Sequence, residues 1–250
     1  MRSVLFCAFF FLSACVSKVP VPSPEPTPSE VETPVGAPGE MLEKKYPSTG
    51  WHSDFDEYIM ANATKAMLEA PASRMSQFCA EWATLTKEQR REFWADLFFS
   101  IAKPESNYNW ATMYWEEDQG KDSVTGLTVK TSEGPLQLSY SDVNSYGPSC
   151  DFDYNHDRPF HLQDIEAKPT GHSWKSKFPQ DKYILHPVRN LRCGIAIADR
   201  LLRSEKRAGT EFADLMGAYW ATMRRLKDGK PRDSYAAIWK QMRSRQSPCH

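Results

Sequence analysis

"IAKPESNYNW", residues 101–110, closes an apolar helical run with a glutamate. Upstream of it Phe93, Trp94, Leu97, Phe98 and Ile101 recur at helical spacing, and Thr86 with Gln89 has the form of a capping box that opens the run. Lys103 and Pro104 read as the breaker. Glu105 is therefore delivered at the inner end of a buried helix, near Phe99, Tyr108 and Trp110. A carboxyl placed there loses hydration, which penalises its charged form and raises its pKa. Glycosidic cleavage needs an acid that holds its proton near neutral pH. A solvated helix-terminal glutamate is the alternative, and the rest of the chain weighs between the two.

Outward from that helix the chain reads as mainly helical. Ser53 with Asp56 suggests the cap of an earlier helix carrying Phe55, Tyr58, Ile59, Ala63 and Met67, ended by Pro71. Residues 110–130 turn polar, and "SVTGLTVKT" at 123–131 predicts a short hairpin with Val124, Leu127 and Val129 as its apolar points. Helical patterns return at 190–203, 211–225 and 233–243. Residues 147–188 read as a long loop rich in aromatics and histidines, bracketed by Cys150 and Cys193. The fold class expected is α+β, dominated by helices, with a small hairpin or sheet.

Three stretches, "ESNYNW" at 105–110, "SEGPLQLSYSD" at 132–142 and "GAYW" at 217–220, follow in an order that resembles the lysozyme-like superfamily, in particular its SLT-type (soluble lytic transglycosylase) domain. "HPVRNLRCGIAIADRLL", 186–202, is similar to the family helix in which a proline and an asparagine precede a glycine. The resemblance covers roughly residues 85–225 and implies a lysozyme-like fold with the small sheet beside a catalytic cleft. It implies cleavage of the MurNAc–GlcNAc β-1,4 bond of peptidoglycan, with Glu105 as general acid and then base and 1,6-anhydroMurNAc ends as product. It implies further that Ser106 orients the carboxyl, that Gln137 and the backbone from Gly134 to Leu136 meet the sugar, and that Tyr219 hydrogen-bonds Glu105. Pro135 and Trp220 depart from the family's leucine and asparagine.

Hydrolysis, the lysozyme outcome, needs a second carboxylate, and Glu116, Glu117, Asp118, Asp122 and Glu133 are the candidates. A hydrolysing muramidase, acting on modified (deacetylated) peptidoglycan among other substrates, is thus the runner-up. A non-catalytic lipoprotein that holds glycan in the same cleft is the third reading. "DFDYNHD" alternates Asp151, Asp153, Asn155 and Asp157 like the start of an EF-hand loop, but His156 stands at the glycine position and Leu162 at that of the closing glutamate. Those side chains read as loop-pinning, and no metal or cofactor is expected. His156, His161, His172 and His186 read as surface or loop residues.

The 250-residue chain has net charge −1 and an isoelectric point near 6.6, so no basic footprint for nucleic acid is present. Arg2 followed by "VLFCAFFFLSAC" at 4–15 reads as a signal peptide, residues 1–14, whose "LSAC" resembles a lipobox with Cys15 as the lipidated residue. Residues 15–48 then form a proline-rich tether, and 49–250 the catalytic domain. The expected location is the bacterial cell envelope, lipid-anchored at the periplasmic face of the outer membrane, or secreted. The partners are the membrane and peptidoglycan glycan strands. Export favours disulfides, and the positions predict Cys150–Cys193 and Cys79–Cys249.

Overall fold

The twenty residues that follow Thr86 form the axis of the structure, a computed structural model that describes residues 38–117, 119–167, 171–224 and 232–249. The signal peptide, Cys15 and most of the tether lie outside the described residues, as does Asp118. Before the axis come α1 (Pro38–Glu43), α2 (Ser53–Asn62), α3 (Lys65–Leu68) and α4 (Ala72–Met75). The axis itself is α5 (Lys87–Ser106), and the capping box read from Thr86 and Gln89 is present in full. Phe93, Trp94, Leu97, Phe98 and Ile101 are all completely buried. Each such side chain stabilises the fold by roughly 1.5–3 kcal/mol, so packing holds the helix more firmly than propensity does. Packing already includes Tyr46, buried against Phe55, ahead of residue 49.

Pro104 does not stop α5. It lies inside the last turn, where only one backbone bond is forfeited, and the helix ends beyond Ser106 with Asn107 in the left-handed region at φ 53°. The first helix also differs from its sequence reading. His52, not Ser53, is the cap, since its Nδ1 accepts the Asp54 N–H. Met67 belongs to α3, which has its own Thr64 cap.

The strands are β1 (Thr112–Glu116), β2 (Lys130–Glu133) and β3 (Ser173–Lys175), antiparallel in the order β2-β1-β3. Of the expected hairpin over 123–131, residues 123–129 are instead part of the loop between β1 and β2, and only its end enters β2. Asp122 accepts the Val124 and Thr125 N–H groups and so makes a turn where the sequence suggested a ladder. Strand β1 pairs Met113 with Glu133 and Glu116 with Lys130.

After α6 (Asp142–Tyr146), the stretch read as a long loop contains α7 (Tyr154–Glu166), capped by Asp153. Asp157, fully buried, accepts from Tyr140 Oη at 3.0 Å and from the Tyr183 and Ile184 N–H groups at 2.7 and 3.0 Å. These acids serve backbone and hydroxyl donors, and the described residues contain no group of three acids, histidines or cysteines able to hold a metal. His161 is completely buried, against its expected surface place, because Glu133 gives its imidazole a partner.

α8 (Pro187–Arg203) runs through the core, followed by α9 (Phe212–Met216) and α10 (Asp233–Ser244). The helical pattern at 211–225 is cut short after Met216, as Trp220 turns inward and is buried. Disulfides join Cys79 to Cys249 and Cys150 to Cys193, the two pairs expected. No helix among the described residues is long and apolar enough to cross a membrane.

Candidate active site

Glu105 continues the helical face of Phe98, Ile101 and Ala102, the face that packs on Trp220. That face therefore ends in a carboxyl, half-buried where the core opens. Thr222 closes it from the opposite side, with Oγ1 donating to Glu105 Oε1 at 2.6 Å. Burial pushes the Glu105 carboxyl up to about 7, while the Thr222 hydrogen bonds pull down, the Glu116 charge pushes up and Arg224 pulls down. Phe99, Tyr108 and Trp110, which the sequence set near it, form a ring cluster with Trp51. Phe99 sits about a third of a turn round the helix from Glu105. It stacks on Tyr108 at 4.7 Å, with Trp51 against both rings and against Trp110.

The loop from Glu133 to Leu138 is pinned from below by α8. Asn190 accepts the Leu136 N–H and donates to the Glu133 and Ile184 carbonyls. Gly194 lets Leu136 seat on the helix, since a Cβ there would stand 2.4 Å from Leu136 Cδ1. Gly134 has φ +78°, and a Cβ on it would stand 2.6 Å from Asn190 Nδ2, so glycine is required on both counts. This gives a physical reason for the asparagine and glycine of the helix at 186–202.

Two of the expected sugar contacts are thereby spent inside the protein. The Leu136 side chain is fully buried, its N–H is taken by Asn190, and its carbonyl accepts from Trp220 Nε1 at 3.2 Å. The Gly134 N–H goes to Thr112 O. Trp220, the departure from asparagine, is thus a strut beneath this loop. Gln137, left-handed at φ 51° and half-buried, turns its amide to the Thr112 and Gly134 carbonyls. Ser106 donates to Ala102 O, one turn back, rather than to Glu105. Tyr219 donates to buried Asp142, which also accepts the Ser139 N–H at 2.8 Å. Burial raises Asp142 to about 6. The hydroxyl on Glu105 is therefore that of Thr222, three residues after the tyrosine expected to supply it. Nothing in "GAYWATM" marks a threonine as the partner, because the turn between them is a tertiary matter.

The candidate second carboxylates separate by environment. Glu133 is completely buried with Lys182 and His161, and Asp122 is buried in its turn. Glu117 is exposed beside His172. Glu116 alone among the described candidates carries a charge felt by Glu105. Strand alternation puts Thr112, Tyr114 and Glu116 on one face of β1, opposite the buried Met113. Thr112 Oγ1 lies 3.5 Å from Ser106 O, so this face starts at the end of α5. Ser132 Oγ donates to Glu116 Oε1 at 2.7 Å.

No family model matches the chain, and no curated protein does. Three solved structures of DslA from Bdellovibrio share the fold. Two are glutamate-to-glutamine mutants, at 22% and 25% identity with TM-scores of 0.54 and 0.53. The third is the wild type in its form 2, at 25% and 0.52. Each alignment covers 79% of this chain and 92% of that one. The α+β, mainly helical, lysozyme-like class expected from the sequence is the class found.

Proposed function

We propose that the chain is a muramidase that hydrolyses the β-1,4 bond between N-acetylmuramic acid and N-acetylglucosamine in peptidoglycan glycan strands. The observation that carries this reading is Glu105, half-buried at the end of an apolar helix face and holding its proton up to about pH 7. Glu105 gives that proton to the glycosidic oxygen as the C1–O bond breaks. Water adds to C1 and loses its proton to the Glu116 carboxylate, the carboxyl whose charge reaches Glu105. The DslA mutants support the pairing, since they replace two glutamates eleven positions apart in that chain, the spacing of Glu105 and Glu116.

Lytic transglycosylation is the second reading, favoured by the Ser132 hydrogen bond, which already engages one oxygen of Glu116. Glu105 would then return as base to the C6 hydroxyl and leave 1,6-anhydroMurNAc ends. The two disulfides support an exported setting, and lipidation at Cys15 belongs to the same proposal. Zymography on murein should show clearing by the wild type and a loss of roughly 10²–10⁴-fold for Glu105→Gln. Mass analysis of the products decides the chemistry, since hydrolysis adds one water. Anhydro ends as sole product, with Glu116→Gln nearly as active as wild type, would replace the hydrolase by the transglycosylase. Binding of murein without clearing by the wild type would leave a glycan-holding protein.

A further inference from the structure

Tyr114 is the one large hydrophobic side chain among the described residues that the fold leaves exposed, at 38%. An exposed large aromatic needs a reason, whereas a buried one does not. Its place supplies one. Tyr114 stands between Thr112 and Glu116 on the same face of β1, so the row runs from the end of α5, past the ring, to the carboxylate beside Glu105. The ring is also backed. His172, which immediately precedes β3, lies nearly parallel to it at 26°, with centroids 6.0 Å apart. The Trp115 N–H, bonded to His172 O at 2.8 Å, and the pairing of Tyr114 with Ser173 fix the two strands in this register. Glu117 lies 3.6 Å from the imidazole and sets a carboxylate at the edge of the pair.

We infer that Tyr114, backed by His172, is a stacking subsite for one pyranose ring of the glycan strand. A pyranose presents a face of C–H groups ringed by polar groups. A tyrosine ring with a wet hydroxyl and a carboxylate at its margin matches both parts. The occupant is a sugar strand rather than a protein, because the row is continuous with the Glu105–Glu116 pair and is flanked by the hydroxyls of Thr112, Ser132 and Ser173. The inference rests on the glycan-cleaving reading and names where that substrate is gripped.

The test uses the full chain with soluble, uncrosslinked glycan strands of several disaccharides. Tyr114→Ala should raise KM roughly five- to tenfold, with the loss falling in KM rather than kcat, while Tyr114→Trp restores it. A fold defect would instead lower kcat and the melting temperature and would not be rescued by tryptophan. In parallel, the Glu105→Gln chain, with and without Tyr114→Ala, is sedimented with purified murein sacculi. Weaker retention with Tyr114→Ala supports the subsite even if the wild type proves to cut nothing, so the two ideas fail separately. Unchanged KM together with unchanged retention overturns the subsite.

Discussion

Two glutamates stand on either side of the same small sheet, and their protons go opposite ways. Glu105 is half-buried, faces a neutral hydroxyl and another carboxylate, and keeps its proton up to about pH 7. Glu133 is wholly buried, which alone would raise it further. Lys182 and His161 outweigh burial and hold it down at about 2. Asp164, 3.5 Å from Lys182 and bonded by Ser176 Oγ at 2.6 Å, completes that cluster. Depth does not decide protonation here; the charge of the partner does. The sheet therefore separates a protonated carboxyl from a buried ion pair, and Glu133, a candidate base by sequence, belongs to the ion pair.

The comparison breaks most visibly at Lys182. Lys182→Met would leave Glu133 buried without its cation, and destabilisation of about 3–5 kcal/mol is expected by urea unfolding. Adding Glu133→Gln should recover part of that loss. A near-neutral Lys182→Met would mean that the cluster holds nothing.

Opposite pH signatures come next. Glu133 has a depressed pKa, so its contribution is present above the ordinary glutamate value of 4.5 and is lost as pH falls toward about 2. Glu105 has a raised pKa, so the unfolded chain gives up this proton first, and stability declines as pH rises from 4.5 to about 7. Thermal melts of Glu105→Gln should match wild type below pH 4.5 and exceed it above pH 7. Equal melting at both ends would show that the carboxyl is not held protonated.

The smallest effect sharpens the Glu105 side. The Thr222 hydroxyl favours the ionised form, so Thr222→Val should move the alkaline limb of activity to higher pH. Its stability cost should stay near 1 kcal/mol. A limb that moves to lower pH would reverse the assigned sense of that hydrogen bond.

Local chemistry made much of this legible. The Thr86 capping box, the apolar face from Phe93 to Ile101 and the helix at 187–203 are patterns of one period, and they appear where the sequence puts them. The position of Glu105 at the end of its helix follows from the same counting, and the cysteine positions suggested the two pairs that form. The helix at 154–166 was hidden, because its alternating acids resemble a loop while its buried side chains, Asp157, His161 and Asp164, are polar. Strand β1 was hidden as well, since five residues give too little alternation to stand out.

What the sequence by itself determined is the mainly helical class and the glutamate at the core's edge, since both follow from spacing along one chain. Only the tertiary structure decided which hydroxyl meets that glutamate, which carboxylate faces it, and which one is locked to Lys182. Those outcomes depend on positions 11, 49 and 117 residues apart meeting in space. Fixing such meetings is the work of the packed core: Asn190 and Gly194 beneath the loop at 133–138, and Trp220 braced against Leu136. A carboxyl's proton answers to the charges brought within a few ångströms of it, and those neighbours exist only once the chain has folded.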